Sequence, residues 1–398
     1  MSLKTKLKNF FALERNIIVI IIANTLWSTM VLYRGFLPKF YESLGATIFF
    51  VGLLFSLSDL FYSLSSFIGG HLSDAYGRKQ IFVRTALIGH FLLLGYLFAP
   101  NWIFLIPFLI LGNFVSGMGD ASAQTMISES VPKKSRATGL ASIYLTATIV
   151  SALIVPCGAL LVQNYGMLDG VRAAILISFF FSLTGTIILF FYGKETLKRK
   201  LKKKIKFKLN FSELKEFFKS LPLSIKGMFF FASLLYFSSM LNTPYWIFYS
   251  LDVIKINSLE FGILESIQFI TVAVFTFVGA KLSDKYGRKK ILLLSIILSL
   301  IVPILFIFSK NFIQLIFVYV TGGASAFGFS TVFAYIADNI NQKRRSRAIG
   351  MTNGLMTFAS IPAPLIGSIL YSIMPQYPFI FSSVLFAITL IVGMKFLK

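Results

Sequence analysis

The chain has 398 residues, 56% of them hydrophobic and 13% charged, a composition that excludes a water-soluble globular protein and predicts a polytopic membrane protein. Its formal net charge of +23 would suit a nucleic-acid binder, but no soluble basic domain carries that charge, so nucleic acid is excluded as a partner. A single cysteine, Cys157, and two histidines rule out an intrachain disulfide and leave no basis for a metal site or a metal cofactor.

The apolar runs are continuous and helix-length, with no short alternation, so they predict helices rather than a barrel. The first follows a basic head (Lys4, Lys6, Lys8, Arg15). It is too long for a signal peptide and no small-residue cleavage site follows, so it reads as a retained first helix. Twelve spans are predicted at roughly 15–41, 47–71, 79–99, 102–128, 136–163, 169–192, 227–251, 257–280, 290–309, 312–338, 346–373 and 377–396. All but five of the 38 Lys and Arg fall in segments on one side of the membrane, the exceptions being Arg34, Lys39, Arg172, Lys255 and Lys310. That asymmetry predicts a plasma-membrane protein with both termini in the cytoplasm.

One phrase occurs twice, as GGHLSDAYGRK at 69–79 and GAKLSDKYGRK at 279–289, with eight of eleven positions identical. Each copy stands between two apolar runs and reads as a tight polar turn, with Gly77 and Gly287 free to adopt backbone angles that other residues resist. There is a second pair: ESVPKKSRATG at 129–139 matches DNINQKRRSRAIG at 338–350 through Arg136/Arg347, Ala137/Ala348 and Gly139/Gly350. Repeats this far apart imply a duplicated architecture. Three units are expected: a six-helix bundle over 1–193, a cytoplasmic linker over 194–226 and a second six-helix bundle over 227–398. The linker carries twelve basic residues, and Phe207, Phe211, Leu214, Phe218 and Leu221 recur at helical spacing after a capping-box pattern at Asn210 and Glu213. It is expected to form a short amphipathic helix on an anionic inner leaflet.

These turns, the twelve spans and the long central loop together resemble the major facilitator superfamily of secondary transporters. The resemblance covers essentially the whole chain and rests on Gly70-x-Leu72-Ser73-Asp74-x-x-Gly77-Arg78-Lys79 with its second copy. It implies an all-α membrane fold of twelve transmembrane helices in two pseudo-symmetric six-helix bundles. These would rock about a central substrate site lined by helices 1, 4, 7 and 10. The chain departs from the family's patterns where many members carry an Arg in helix 4, here Asn113. It departs again in helix 5, where Val155-Pro156-Cys157-Gly158-Ala159 keeps only a proline and one glycine of the antiporter signature. Both departures loosen the match to the family's antiporters without excluding antiport.

The resemblance also implies that Asp74 caps the start of helix 11 and that its twin Asp284 caps helix 5, because helix N-termini stabilise carboxylates. Arg78 can pair with Glu129, with Arg136 bracketing the same acid; Arg288, Asp338 and Arg347 repeat the set. With Gly77 and Gly287 they form two expected charge latches that close the cytoplasmic gate when the protein faces outward.

Ionisable residues inside a membrane are costly and face a cavity or a partner. The expected cavity set comprises Asn24, Trp27 and Arg34 in helix 1, Asp59 in helix 2 on a stripe with Ser56, Ser63 and Ser66, and Asn113, Asp120 and Gln124 in helix 4 with Ser116. Helix 7 adds Asn242, Tyr245 and Trp246, and helix 8 adds Glu265 and Gln268. Helical rise places Arg34 about 12 Å and Asp59 about 18 Å below the outer surface, within reach of an Arg34–Asp59 pair. Asp59, Asp120 and Glu265 are candidates for carrying protons. His90, alone on an apolar helix, reads as a packed residue. Pro156, Pro362 and Pro364 are expected to kink helices 5 and 11.

The function this predicts is secondary active transport of a small organic solute by alternating access, proton-coupled, with efflux of amphipathic compounds one form it can take and the aromatic-rich outer half favouring a hydrophobic or mixed solute. Proton-coupled uptake of a sugar or organic acid is the alternative, and a channel or a non-transporting receptor the reading from another class. No nucleophile–base set, phosphate loop or cofactor motif points to an enzyme. The expected partners are the solute, protons and the anionic leaflet, with the chain a monomer.

Overall fold

The helices run further than the apolar stretches that predict them. In the computed structural model, which describes residues 15–130, 136–197 and 211–397, those residues hold helices and no strand. Span 2 is one helix from Ile48 to Tyr76 and span 8 one helix from Ser258 to Tyr286. The repeated phrase is therefore mostly helical. Its turn is a single residue, Gly77 (φ 118) or Gly287 (φ 94), after which spans 3 (Arg78–Leu93) and 9 (Arg288–Phe308) begin at once. Positive φ is strained for any residue with a Cβ, so the break falls on glycine in both copies.

Nine helices among the described residues are long and apolar enough to cross a membrane. The rod Arg136–Tyr192 carries both span 5 and span 6, its helical geometry broken at Gly166 (φ 80). Span 3 has 16 residues, and span 10 is split into Phe312–Ala324 and Phe327–Asn339; these complete the twelve. Span 4 is Trp102–Ser130, span 7 starts with Leu223–Asn242 and span 12 is Tyr377–Phe396. Span 11 is interrupted between Gln342–Ser360 and Ala363–Ile373, with Pro362 at the break, as the missing N–H of proline requires.

Spans 1 and 7 both lose regular helix part-way along their length. Span 1 is α-helical over Arg15–Trp27, tightens to a 3-10 turn at Ser28–Met30, resumes over Val31–Arg34 and ends in the helix Leu37–Ser43. Span 7 passes through a 3-10 turn at Thr243–Tyr245 and a π turn at Tyr249–Val253. Each is crossed closely by its partner. A Cβ on Gly158 of span 5 would strike the Leu32 carbonyl of span 1, and one on Gly367 of span 11 would strike the Leu241 carbonyl of span 7. These glycines let the paired helices touch backbone to backbone, as small residues do in membrane bundles.

The packed cores divide unevenly. At the end opposite the repeated turns, one cluster joins both halves: Phe36, Phe40 and Val171 of the first pack in the same core as Tyr245, Phe261 and Phe379 of the second. Toward the turns there are two separate clusters. One is built on Ile17, Ile20, Phe82 and Met126, the other on Ile225, Leu292, Ile296 and Ile336. Among the described residues, the two halves thus share a core at one end only.

The linker differs from expectation. Its helix, Phe211–Lys219, is present, but Phe217 and Leu221 are buried in the second half's own core, with Phe218 packed against Phe229 at 6.1 Å. Arg344 donates to Ser220 Oγ at 3.3 Å and Lys226 to the Lys219 carbonyl at 2.9 Å. Burial against protein replaces burial in lipid for these residues. Span 7 then begins at Leu223, after Pro222, earlier than the expected 227. Phe207, Asn210, the basic run before them and residues 1–14 lie outside the described residues, as do the side chains of Phe211, Glu213 and Leu214.

A cavity between two halves and two ionic turns

Each repeated turn is held by an arginine at the start of the following helix. Arg78 is 8% exposed. Its Nη1 lies 2.6 Å from Asp74 Oδ1, an ion pair rather than an aligned hydrogen bond, and its Nη2 lies 3.5 Å from Glu129 Oε1. In the second copy Arg288 meets Asp284 at 2.5 Å and Asp338 at 3.0 Å, and donates to Ser283 Oγ at 2.8 Å. Both sets stay within their own half. Arg136 and Arg347, expected to bracket Glu129 and Asp338 within the same halves, have side chains outside those described.

The first turn has a further anchor. Glu195, just past span 6, accepts from the backbone N–H of Arg78 at 2.9 Å and of Thr196 and Leu197 at 3.0 Å. Burial raises its carboxyl pKa, but the backbone amides of Leu197, Arg78, Lys79 and Gln80 outweigh that and hold it below the usual carboxylate value. This is N-capping of span 3 by a residue distant in sequence. Thr196 Oγ1 donates to Glu129 Oε2 at 2.6 Å, and Lys194 N donates to Asn16 Oδ1 at 2.8 Å. Sequence reasoning misses Glu195. Its only sequence signal is an acid directly after an apolar run, and nothing local says which helix it caps.

The cavity lies between the halves, in two compartments of about 820 Å³ and about 350 Å³. Arg34, Gly35, Phe55 and Glu265 line both. The larger is walled mainly by the first half and takes Asn24, Trp27, Asp59, Asn113, Ser116 and Asp120. The smaller takes Asn242, Trp246 and Gln268 with Tyr319 of span 10. Trp27 is fixed in place: its indole N–H reaches both the Ser182 carbonyl and Thr186 Oγ1 at 3.0 Å, and His90 Nε2 holds that Thr186 hydroxyl at 2.8 Å. Trp246 donates to Asn242 Oδ1 at 3.1 Å, while Asn242 donates to Ser382 Oγ at 2.7 Å.

Several expectations fail here, each for a geometric reason. Tyr245 is fully buried, with its hydroxyl on the Pro364 carbonyl, because the 3-10 turn around it aims the ring at span 11. Gln124 is one helical turn beyond Asp120, toward the repeated turns, and lines neither compartment. On span 2 the cavity face is Phe55, Ser58, Asp59 and Tyr62. Ser56 instead accepts from Leu365 N at 3.2 Å, and Ser63 bonds its own helix. Arg34 and Asp59 form no ion pair among the described residues. The three-residue 3-10 turn in span 1 rotates the remainder of the span by about 60° relative to a straight α-helix, and Arg34 lines the larger compartment together with Asp120 and Tyr62. Tyr62, which donates to Asp120 Oδ2 at 2.9 Å, escapes sequence reasoning because the expected stripe runs through the serines beside it.

Two bundles of six helices, sharing a core at one end and lining one cavity between them, define a multi-pass membrane transporter. The chain belongs to the Major Facilitator Superfamily, whose model matches residues 17–254 and 228–398. It is 27% identical to the multidrug resistance protein MdtG of Proteus mirabilis, over 85% of this chain and 84% of that one. It is 26% identical to an uncharacterised MFS-type transporter of Methanocaldococcus jannaschii, over 88% and 86%. Among solved structures it resembles the nucleoside transporter NupG with a TM-score of 0.80 at 14% identity, covering 97% of this chain and 100% of that one, a likeness of fold.

Proposed function

We propose that this transporter expels amphipathic, aromatic organic solutes, cations foremost, in exchange for protons by alternating access. The observation that carries the reading is the charge inventory of one aromatic-walled cavity: Asp59, Asp120 and Glu265 against a single Arg34. A carboxylate lining a cavity within the membrane can be satisfied by a proton or by an organic cation, so the two compete and their exchange is coupled. Trp27, Tyr62, Phe55 and Trp246 supply flat faces suited to aromatic cations. Relatives that carry multidrug names, MdtG among them, support efflux. The basic turns face the cytoplasm, with both termini on that side, in the plasma membrane. In that orientation the shared core closes the outer end and the molecule faces inward. The Asp74–Arg78 and Asp284–Arg288 sets then serve as the inner latches of the outward-facing state, and the monomer suffices for transport.

A second reading has one observation in its favour. Arg34 is exposed to the cavity and makes no ion pair among the described residues, which suits an anionic solute taken up with protons.

Purified protein in liposomes with an imposed pH gradient separates these. The expected result is saturable, gradient-driven accumulation of ethidium that stops with a protonophore and falls to background in Asp59→Asn/Asp120→Asn/Glu265→Gln. Gradient-driven transport that survives loss of all three acids would overturn the coupling set. Counterflow of an organic acid, lost in Arg34→Gln, would establish the second reading.

A further inference from the structure

The 210-residue offset that aligns the two repeated turns also aligns the opposite ends of the halves. Glu42 falls on Asp252, Gly45 on Lys255 and Gly52 on Gly262. The backbone agrees: Gly45 and Lys255 have φ 91 and φ 66, and Lys255 is the positive-φ residue of the described chain that is not glycine. Thr47 and Asn257, again equivalent, are the N-caps of spans 2 and 8. The two corners are therefore copies of one structure.

Both copied acids bind the same lysine. Lys39 Nζ lies 2.7 Å from Glu42 Oε2 in its own half and 2.6 Å from Asp252 Oδ2 in the other. Its ammonium sits 4.8 Å from the Phe248 ring centroid and its side chain is 12% exposed. Lysine occurs once in the pair, because the position equivalent to Lys39 is Tyr249, whose hydroxyl bonds the Ile307 carbonyl at 3.1 Å. The partners sit on rigid supports. Lys39 belongs to the helix Leu37–Ser43, anchored by buried Phe40 and Tyr41. Asp252 belongs to the π turn Tyr249–Val253, held down by Ile256 N on the Ser250 carbonyl at 3.2 Å. Nearby, Leu259 N donates across the halves to Gln163 Oε1 at 3.2 Å.

We propose that Lys39, Asp252 and Glu42 form a transferable ionic lock that sets how often the end opposite the turns opens. The inference rests on the alternating-access reading. In the closed state Lys39 bridges the halves through Asp252. On opening, Asp252 departs with the second half and Lys39 keeps Glu42, so the ammonium is not left bare. The two acids therefore act in opposite directions although the repeat makes them equivalent. Asp252 favours the closed state, whereas Glu42 lowers the cost of leaving it.

The test is labelling of a cysteine reporter, Ser239→Cys, which lines the smaller compartment, in a Cys157→Ser background. A membrane-impermeant thiol reagent is applied from the side opposite the turns to the full-length protein in liposomes. Asp252→Asn and Lys39→Gln are expected to raise the labelling rate about fivefold, the range of a partly exposed ion pair. Glu42→Gln is expected to lower it. The swap Lys39→Glu/Asp252→Lys, which again sets one lysine between two acids, is expected to return the rate toward that of the reporter alone. Unchanged labelling in Asp252→Asn, or a rise in Glu42→Gln matching that in Asp252→Asn, overturns the lock. Either result combined with intact gradient-driven ethidium transport would leave the transport reading standing, so the two failures are distinguishable. A swap that labels as fast as Asp252→Asn likewise overturns it.

Discussion

The two ends of the molecule each hold one corner from each half, and they are bonded in opposite ways. At the turn end every described ion pair lies within one half, and each half has its own core. At the other end Lys39 pairs across the halves and a single core spans them. Spans 5 and 8, and spans 2 and 11, meet across that interface, with Ser266 donating to the Ala152 carbonyl and Leu365 N to Ser56 Oγ. The difference shows where each half is a rigid body and where the two can part. A turn tied to its own bundle moves with that bundle, whereas a contact shared between bundles must break.

Substitutions at the two ends separate these roles. The largest effect is expected from removing both turn acids. Asp74→Asn/Asp284→Asn should slow solute flux about tenfold, as loss of the two ion pairs to Arg78 and Arg288 would, while membrane insertion and yield are preserved. Flux equal to wild type would show that the turn charges only fix topology. Next come the positive-φ glycines. Gly77→Ala should cost roughly 1–3 kcal/mol through backbone strain, made worse because the new Cβ meets the Glu195 carboxylate. Gly45→Ala, with nothing within 4 Å of the new Cβ, should cost about 1 kcal/mol from strain alone. Thermal unfolding in detergent orders the two, and equal costs would remove Glu195 from the account of the first turn.

The smallest effect is on pH dependence. Glu195 has a folded-state pKa below its ordinary value of 4.5. Its contribution is therefore fully present above 4.5 and is lost as pH falls through the lower folded value. Below pH 4.5 the wild-type melting temperature should fall more steeply than that of Glu195→Gln, and the two curves should converge in acid. Parallel curves would mean that the amides of Arg78, Lys79 and Gln80 do not hold the carboxylate.

Much of the fold was legible in the sequence, because span number, repeat and charge asymmetry are one-dimensional signals. The cavity was legible where helices are regular: on span 4, Asn113, Ser116 and Asp120 line it at the expected spacing. It was not legible where the helix changes pitch. The 3-10 turn at Ser28–Met30 separates Arg34 from Asp59, and the one at Thr243–Tyr245 sends Tyr245 into the core. On span 2 the choice of face depended on what packs against it, since span 11 takes Ser56 and leaves Tyr62 to Asp120. Glu195 and Lys39 depend on long-range convergence. The repeat aligns Glu42 with Asp252, but only the fold brings both to one ammonium.

If the halves rock as rigid bodies about the cavity, distances at the two ends are linked, and paired distance measurements read that link. Spin labels at the exposed positions Tyr76 and Tyr286 report the turn end, and labels at Asn101 and Lys310 report the other. Measured in liposomes by double electron–electron resonance with and without ethidium, the two distances should change in opposite senses. Whenever the Tyr76–Tyr286 distance shortens, the Asn101–Lys310 distance should lengthen. Movement at one end with the other fixed, or movement of both in the same sense, would contradict it.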